Sequence, residues 1–324
     1  MEVIVVGAGI SGCVCAWKLA KSGHKVTLVE KGRGVGGRMA TRRMEGARID
    51  HGAQFFTVRD SRMEELLSLW VEEKAVVPWY DHIPGLPDLP RGQRYRGTEG
   101  MTSPAKILAK EFSVETNLFV DRITRDGQKW LVSEREGEGR QLQADHLVIT
   151  IPSVQLLELF ERSHYSLDED TMNSIRSIRH TRCLAVFGIM DHPSSFKHPG
   201  TLTHPVPEID WISDNQVKGI SSEPSCTIHA SDEYSQKFWD APDSERIPPL
   251  LSVAEEHLHA KITSWSSHRW GFAKPVVTFG ATHWHSEDRA ITLAGDGFGG
   301  ERIEKAAMSG WDAAEAIIGK SVNA

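Results

Sequence analysis

The run Val3-Ile4-Val5-Val6-Gly7-Ala8-Gly9-Ile10-Ser11-Gly12 decides how this chain begins its fold. Four β-branched residues in succession are typical of a buried parallel strand. The glycines match the pattern Gly-x-Gly-x-x-Gly, and a helical stretch continues from them to Lys21. A second strand pattern, Val26 to Val29, ends at Glu30. Strand, glycine turn, helix, strand and acid in this order predict a unit that binds a dinucleotide.

Each part of this motif has a physical role. Gly7 permits the tight turn, Gly9 lets the backbone approach a pyrophosphate, and Gly12 lets the helix lie close on the strand. The helix N-terminus offers unpaired N–H groups and partial positive charge to the phosphates. Glu30 is expected to accept hydrogen bonds from ribose hydroxyls. The predicted cofactor contacts of this unit are Gly7, Gly9, Ile10, Ser11, Gly12, Glu30 and Lys31.

A second glycine-rich stretch, Gly34-Val35-Gly36-Gly37-Arg38-Met39, follows the acid. Its adjacent glycines remove side chains where a cofactor must pass close to the backbone. Arg38 carries a fork of donors that can pair with a phosphate. The next apolar run, Ile49 to Phe56, predicts another strand with small residues at its centre, and it contains Asp50-His51-Gly52-Ala53-Gln54.

On these motifs the chain resembles the flavin-containing amine oxidase superfamily, in which Gly-Gly-Arg follows the first strand–helix–strand unit. The Asp50 to Gln54 run and the short chain resemble its renalase group, the bacterial members in particular. The resemblance implies non-covalently bound FAD and an α/β fold. An FAD-binding Rossmann-like domain of the glutathione-reductase type, with a parallel sheet, would be interleaved with a smaller α+β substrate domain on an antiparallel sheet. We expect the first to hold residues 1–78, 101–160 and 276–324, and the second 79–100 and 161–275.

The C-terminal part carries a further cofactor signature. A strand pattern from Ala290 to Ala294 precedes Gly295 and Asp296, and a helix opens at Arg302. The resemblance implies that Asp296 binds the ribityl or phosphate region, and that the helix N-terminus points at the flavin pyrimidine edge. Strand patterns at 117–123 and 130–132 flank an Asp-Gly turn, and the resemblance puts the first of them at the adenine. The further cofactor residues that it implies are Gly36, Gly37, Arg38, Met39, Gly52, Ala53, Gln54, Phe55, Val120, Gly295, Asp296, Arg302, Ile303 and Glu304.

The stretch Gly295 to Gly300 repeats the Gly-x-Gly-x-x-Gly pattern, but only 24 of the 324 residues follow it. That length suffices for one helix and not for a second nucleotide-binding unit. A nicotinamide nucleotide is therefore expected as substrate over the flavin and not in a domain of its own.

The substrate side is less regular. Strand patterns at 184–189 and 226–230 and a helix from Ser252 to about Ile262 suit a sheet domain, and the Pro- and Gly-rich stretch from Tyr80 to Tyr95 predicts an irregular loop. By the resemblance, the catalytic residues on the flavin face are His229, Trp270, Asn215 and Gln54. His229 in an apolar strand is equally consistent with a core histidine, and Trp270 with ordinary packing.

Composition and motifs exclude other classes. A net charge of -7 argues against a nucleic-acid partner. No apolar run approaches the ~18 residues of a membrane span, and the N-terminus lacks the basic start of a secretory signal. Four cysteines indicate a reducing cytoplasm, and Cys13 and Cys15 do not face each other on a helix. His283 and His285 have no evident third ligand, so no metal is expected.

The resemblance implies an oxidase that takes a dihydronicotinamide nucleotide, 2-dihydro- or 6-dihydro-NAD(P), and dioxygen, and that gives NAD(P)+ and hydrogen peroxide. Two alternatives remain: an amine oxidase that acts on a small amine, and a flavin-binding protein without turnover. A monomer or dimer is expected. Relatives usually continue Arg-Val-Glu-Gly-Ala where this chain has Arg302-Ile303-Glu304-Lys305-Ala306, which puts the shape of the substrate pocket in doubt more than FAD binding.

Overall fold

The computed structural model describes residues 1–82, 92–134 and 139–321. Most of the Pro- and Gly-rich stretch that was predicted as a loop, residues 83–91, lies outside the described residues. The strands are, in chain order, β1 (Glu2–Val6), β2 (Lys25–Val29), β3 (Thr41–Met44), β4 (Ala47–Asp50), β5 (Phe56–Thr57), β6 (Val76–Tyr80), β7 (Arg94–Gly97), β8 (Ser113–Glu115), β9 (Val120–Asp126), β10 (Lys129–Glu134), β11 (Gln141–Ala144), β12 (His146–Ile149), β13 (Arg179–His180), β14 (Cys183–Met190), β15 (Thr201–Val206), β16 (Ile209–Asp214), β17 (Ser225–Ala230), β18 (Ile262–Trp270), β19 (Pro275–Val277), β20 (Trp284–Ser286) and β21 (Ile291–Leu293). The helices are α1 (Ile10–Lys21), α2 (Ser61–Glu72), α3 (Ser103–Leu108), α4 (Ser153–Arg162), α5 (Glu169–Ser177), α6 (Asp232–Lys237), α7 (Asp243–Arg246), α8 (Pro248–Leu258), α9 (Asp296–Gly299) and α10 (Ile303–Ser321).

The chain divides into two compact units. The first holds Met1–Gly37, Ala105–His180 and Lys274–Ala324, and the second holds Arg38–Pro104 and Thr181–Ala273. The expected domains differ at four places, since 38–78 and 101–104 group with the second unit, and 161–180 and 274–275 with the first. Residues 38–78 belong to the second unit because β4 packs on β14 and β17, and residues 161–180 belong to the first because α5 packs on α4.

The first unit contains a six-stranded sheet in the order β20-β21-β12-β1-β2-β8. Its strands run parallel from β21 to β8, and β20 pairs antiparallel at the edge. The buried β-branched run of β1 pairs on both sides, with Val5 between Val148 and Leu28. The prediction of a parallel, Rossmann-like sheet is confirmed.

Two helices of the first unit pack closely on each other. All but a few residues of α1 are buried, and Lys18 and Lys21 lie in its last turn, where they complement the helix dipole. The Trp17 and Trp311 rings lie 6.2 Å apart, and the Lys18 ammonium lies 3.7 Å from the Trp311 ring centroid. The predicted C-terminal helix is therefore confirmed, and it covers the glycine-motif helix.

The second unit is built on a five-stranded antiparallel sheet in the order β15-β16-β17-β14-β18. Its core joins Ile228 and Val186 of the sheet to Leu250, Ala254 and Leu258 of α8. Pro248 at the start of α8 has no N–H to leave unpaired, and His259 in a left-handed conformation (φ 53°) ends the helix. The antiparallel sheet is confirmed, although the helix predicted from Ser252 begins at Pro248.

One strand prediction is wrong. The run from Ile49 to Phe56 does not form one strand, because it is divided between β4 and β5. Between them, the Ala53 N–H donates to the Arg38 carbonyl at 2.8 Å, and a Cβ on Gly52 would lie 2.0 Å from the same oxygen. This close approach to another backbone turns the chain out of the sheet. In the described residues, no helix is long and apolar enough to cross a membrane.

Candidate functional site

The first glycine motif forms a tight turn between β1 and α1. Gly7 has a φ of 102°, a conformation that favours glycine. A Cβ on Gly12 would lie 2.0 Å from the Gly7 carbonyl oxygen, so α1 starts in direct contact with the turn. A Cβ on Gly9 would meet nothing within 4 Å, so the turn is open there. The positive φ of Gly7, the close contact at Gly12 and the open space at Gly9 are the backbone features that the predicted roles require, and the approach of a pyrophosphate to Gly9 stays a prediction.

The second glycine motif meets the first. Gly36 forms a bridge with Gly9 and donates its N–H to the Ala8 carbonyl at 2.7 Å. A Cβ on Gly37 would lie 3.2 Å from the Gly9 Cα. The backbones of the two glycine motifs therefore cross where α1 begins, with glycines at the points of contact.

Glu30 organises this crossing. Its carboxylate accepts the Ala8 N–H at 2.9 Å and the Gly32 N–H at 2.7 Å. A carboxylate has further lone pairs, so it can also accept from ribose hydroxyls. The Ser11 hydroxyl at the start of α1 is buried and has no hydrogen-bond partner among the residues that the structure describes. An open glycine turn, a helix N-terminus and an unpartnered hydroxyl fit the pyrophosphate of FAD.

The C-terminal signature lies in the same unit. Gly295 has a φ of 129°, and its N–H donates to the Ser309 hydroxyl at 2.8 Å. A Cβ on Gly310 would lie 2.0 Å from the Ser11 carbonyl oxygen, which brings α10 against the start of α1. The buried Asp296 carboxylate lies 3.4 Å from His180 Nε2, a partner that the sequence did not indicate. The predicted cofactor residues of the N-terminal and C-terminal glycine motifs therefore lie in the same unit.

The four predicted catalytic residues all lie in the second unit, around the Asp50–Gln54 segment. The His51 carbonyl accepts from His229 Nε2 at 3.2 Å and from Trp270 Nε1 at 3.0 Å. Asn215 Oδ1 accepts the Asp50 N–H at 3.3 Å, and Gln54 is part of the segment itself. Residues that are far apart in the sequence are therefore brought to one turn of backbone, although their catalytic role stays a prediction.

Asn215 and Gln54 are occupied by protein partners. The Asn215 amide, fully buried, also donates to Ser225 and Thr227. Gln54 Nε2 donates to the Asp50 carbonyl at 2.6 Å and to the Gly52 carbonyl at 3.0 Å, and Oε1 accepts from the Ser213 hydroxyl at 3.0 Å. Both side chains hold the backbone of the segment.

Rings and imidazoles cluster beside the segment. Trp270 lies 4.1 Å from His268 and 5.4 Å from His51 between ring centroids. Burial, with His268, Arg42 and His229, lowers the pKa of His51 to about 3. Burial and Arg42 also lower the pKa of His268. The cluster of His51, His268 and Trp270 is therefore uncharged near neutral pH. Its rings are inclined to one another, with Trp270 at 61° to His268 and at 30° to His51.

A buried ion pair that the sequence pattern does not indicate lies at the same segment. Lys218 Nζ lies 2.7 Å from Asp50 Oδ2, and both side chains are 0% exposed. Lys218 Nζ also donates to Gln54 Oε1 at 3.2 Å. Burial lowers the pKa of Lys218, and the Asp50 carboxylate opposes that shift. The available signal was a lysine between apolar residues, Val217 and Ile220, but no local pattern indicates its partner.

A second group of rings, Phe55, Trp79, Tyr80 and Trp211, packs together in the same unit. Tyr80 and Trp79 lie 4.7 Å apart, and Phe55 and Trp211 lie 5.8 Å apart. The Lys218 ammonium lies 4.9 Å from the Trp79 ring centroid, a cation–π contact. We call this group the aromatic cluster.

The remaining predicted residues differ in exposure. Met39, Val120, Gly52 and Glu304 are buried, Lys31 is exposed, and Arg302, Ile303, Ala53 and Phe55 are intermediate. Arg38 donates to the Phe272 carbonyl at 2.7 Å in the second unit. Burial raises the pKa of both Cys13 and Cys15 to about 12, so neither is a reactive thiolate. Within the described ranges no three His, Cys, Asp or Glu residues form a metal-binding group.

Family models match two parts of the chain. A model for NAD(P)-binding Rossmann-like domains matches residues 5–70, and a model for flavin containing amine oxidoreductases matches residues 88–318. A curated relative, the 4,4'-diapophytoene desaturase of Staphylococcus aureus, is 26% identical over 204 residues, which cover 55% of this chain and 41% of the relative. The Staphylococcus haemolyticus enzyme is 43% identical over 60 residues, 18% of this chain and 12% of the relative. The chain thus spans less than half the length of these curated relatives.

Solved structures share the fold over almost the whole chain. The cyclohexylamine oxidase of Brevibacterium oxydans has a TM-score of 0.78 at 16% identity and covers 99% of both chains. A putrescine oxidase bound to putrescine has a TM-score of 0.74 at 15% identity, with coverage of 98% of this chain and 99% of the other. At these identities the likeness shows the fold alone.

Proposed function

The chain belongs to the flavin containing amine oxidoreductase family and is an FAD-dependent oxidoreductase, and from this premise we propose that it oxidises isomeric dihydronicotinamides. The substrates would be 2-dihydro- and 6-dihydro-NAD(P), as in the renalase group that the Asp50–Gln54 run resembles. Dioxygen would be the electron acceptor.

The observation that carries this proposal is the uncharged cluster of Trp270, His268 and His51, in which the Trp270 indole offers an aromatic face. A dihydronicotinamide is a planar, neutral ring, and a single aromatic side chain such as the Trp270 indole can pack against such a ring and fix its orientation. The Trp270 indole is itself fixed, because its N–H donates to the His51 carbonyl at 3.0 Å. His229 donates to the same carbonyl, so both predicted substrate contacts are tied to one atom.

The proposed reaction requires little acid–base catalysis by the protein. When bound, FAD supplies the two-electron redox step and the passage of electrons to dioxygen. The lone pair of the dihydropyridine nitrogen drives the departure of the hydride, so no side chain has to remove a proton. Overall, the substrate loses a hydride to become NAD(P)+, and dioxygen takes up the two electrons and the proton of that hydride together with one proton from solvent to become hydrogen peroxide. The protein's part is orientation, in which a displacement of about 1 Å costs on the order of a hundredfold in rate.

The contacts of the Asp50 carboxylate, next to His51 in the chain, are consistent with a reaction that needs no general base. Asp50 Oδ1 accepts from the Thr41 hydroxyl at 2.6 Å and from the Met101 N–H at 2.8 Å, and Oδ2 is paired with Lys218. A carboxylate so engaged does not serve as a general base.

The direct test is product formation by the holoenzyme in air. With 2-dihydro- or 6-dihydro-NAD(P), we expect oxygen uptake, one NAD(P)+ per hydrogen peroxide, and little turnover of ordinary 4-dihydro-NAD(P)H or of small amines. Trp270→Phe should slow turnover with FAD content unchanged, because it removes the hydrogen bond to His51. Trp265→Phe, on the same strand but 37% exposed, is the matched control and should behave as the wild type. No uptake with any dihydronicotinamide would refute the proposal.

An amine oxidase is the second function that an observation favours. A neutral amine is suited to a cage of aromatic rings, and the aromatic cluster supplies four rings in one place. Uptake of oxygen with a small amine, lost in Trp211→Ala and kept in Trp270→Phe, would decide for this alternative. A bound flavin with no turnover of either dihydronicotinamides or small amines would indicate a flavin-binding protein.

A further inference from the structure

The Lys218–Asp50 ion pair is unusual because it is wholly removed from water. Both side chains are 0% exposed, and their charged atoms are 2.7 Å apart. Removing two charges from water is costly, and a hydrophobic pair of similar size is often at least as stable. A buried pair is therefore weak evidence for stability, and its retained polar contacts call for another explanation.

The hydrogen bonds of the pair lead to the Gln54 carboxamide, the Thr41 hydroxyl and the Met101 N–H, and the Lys218 ammonium also contacts the Trp79 ring of the aromatic cluster. Asp50 Oδ1 accepts from the Thr41 hydroxyl and the Met101 N–H, which fix the carboxylate. Lys218 Nζ donates to Gln54 Oε1 at 3.2 Å and the Ser213 hydroxyl donates to the same oxygen at 3.0 Å, so the two donors together set which way the Gln54 carboxamide points. Gln54 Nε2 is then directed at the Asp50 and Gly52 carbonyls.

The residue between those two carbonyls is His51, whose own carbonyl accepts from His229 and Trp270. The turn is thus closed on one side by Gln54 and contacted on the other by the two predicted substrate contacts. A change in the Gln54 orientation would move the His51 carbonyl, and with it His229 and Trp270.

We propose that Lys218 is a positioning residue that acts through Gln54 and the His51 carbonyl on His229 and Trp270. The part of this proposal that concerns substrate rests on the proposed function, whereas the part that concerns the conformation of the segment does not. Lys218 itself contacts neither substrate nor cofactor in this scheme.

The test separates positioning from stability with a pair of variants. Lys218→Met leaves the Asp50 carboxylate buried without its lysine partner, so this variant should be strongly destabilised. The double variant Asp50→Asn/Lys218→Met removes both charges, and the carboxamide oxygen that it introduces can still accept from Thr41 or Met101. The melting temperature of the double variant should therefore recover towards that of the wild type.

In the double variant Gln54 has still lost its Lys218 donor. We therefore expect flavin reduction by 6-dihydro-NAD(P) to be at least about tenfold slower in the double variant than in the wild type. The FAD content and the substrate concentration for half-saturation should change little. Amide hydrogen exchange in the peptide 47–57 should be faster, with or without FAD. Lys129→Met, which removes a partly exposed lysine paired with Glu2 and Asp145, is the control and should alter neither quantity.

A double variant with wild-type reduction rate and wild-type exchange in 47–57 would overturn the proposal, because the pair would then serve stability alone. If the wild type itself oxidises no dihydronicotinamide, the proposed function fails, and the exchange measurement still decides whether Lys218 positions the segment.

Discussion

Replacing Gly310 with alanine should force apart the two helices that hold the cofactor-binding turn. A Cβ at this position would lie 2.0 Å from the Ser11 carbonyl oxygen of α1, a backbone atom that cannot rotate away. Ordinary contact needs about 3.5 Å, so α10 would have to move by about 1.5 Å. Overpacking of this kind costs about 1–3 kcal/mol, and a backbone clash places the cost at the upper end.

Alanine also stabilises a helix relative to glycine, by about 1 kcal/mol. The net expectation for Gly310→Ala is therefore a loss of about 2 kcal/mol, which corresponds to a fall of about 4 °C in the melting temperature. The same helix provides a matched control, because a Cβ on Gly319 would meet nothing within 4 Å. Gly319→Ala should keep or raise the melting temperature.

Thermal unfolding of the apoprotein, followed by circular dichroism, measures this difference. FAD titration of both variants measures its consequence, and we expect weaker binding for Gly310→Ala alone, since Ser11 lies in the first turn of α1. If Gly310→Ala were as stable as Gly319→Ala and bound FAD equally well, the close packing of α10 on α1 would not support the cofactor turn.

Three further predictions concern the cofactor and pH. Glu30→Gln and Asp296→Asn should each weaken FAD binding by about 1–3 kcal/mol in a fluorescence titration. The control Glu111→Gln, at an exposed residue, should bind FAD as the wild type does. Unchanged affinity in both Glu30→Gln and Asp296→Asn would mean that FAD lies elsewhere. Acid precipitation should release all the flavin to the supernatant, and flavin that stays in the pellet would contradict non-covalent binding. Burial lowers the pKa of His146 to about 3 in the folded state, so the unfolded chain binds the extra proton and stability falls as pH drops from about 6.5 towards 3. Between pH 7 and pH 5, the free energy of unfolding of His146→Gln, measured with urea, should therefore fall by about 2 kcal/mol less than that of the wild type. An equal fall in the two proteins would refute the buried neutral imidazole.

The first unit could be predicted from the sequence because its signals are local. The β-branched run before Gly7 and the acid at Glu30 lie within one strand–helix–strand unit, and the structure contains both strands and the helix between them. The C-terminal helix was likewise visible as a periodic pattern, and α10 begins at Ile303. Local sequence periodicity was sufficient there.

The second unit was less predictable because its decisive contacts join distant residues. The strand expected from Ile49 to Phe56 is interrupted by the Arg38 carbonyl, which no pattern within that run indicates. Lys218 and Asp50 are 168 residues apart, and they meet because Lys218 lies between β16 and β17 while β4, which ends at Asp50, packs on β17. The resemblance named Asn215, Gln54, His229 and Trp270, but it could not reveal that all four meet at one turn of backbone.

The central claim is that hydride leaves an isomeric dihydronicotinamide held in one orientation. Anaerobic stopped-flow absorbance at the flavin maximum measures this step without dioxygen. We expect rapid bleaching with 6-dihydro- or 2-dihydro-NAD(P). Bleaching with 4-dihydro-NAD(P)H, whose donor carbon is displaced, should be slower by on the order of a hundredfold. Equal rates for the three isomers, or rapid bleaching by a simple amine and none by dihydronicotinamides, would contradict it.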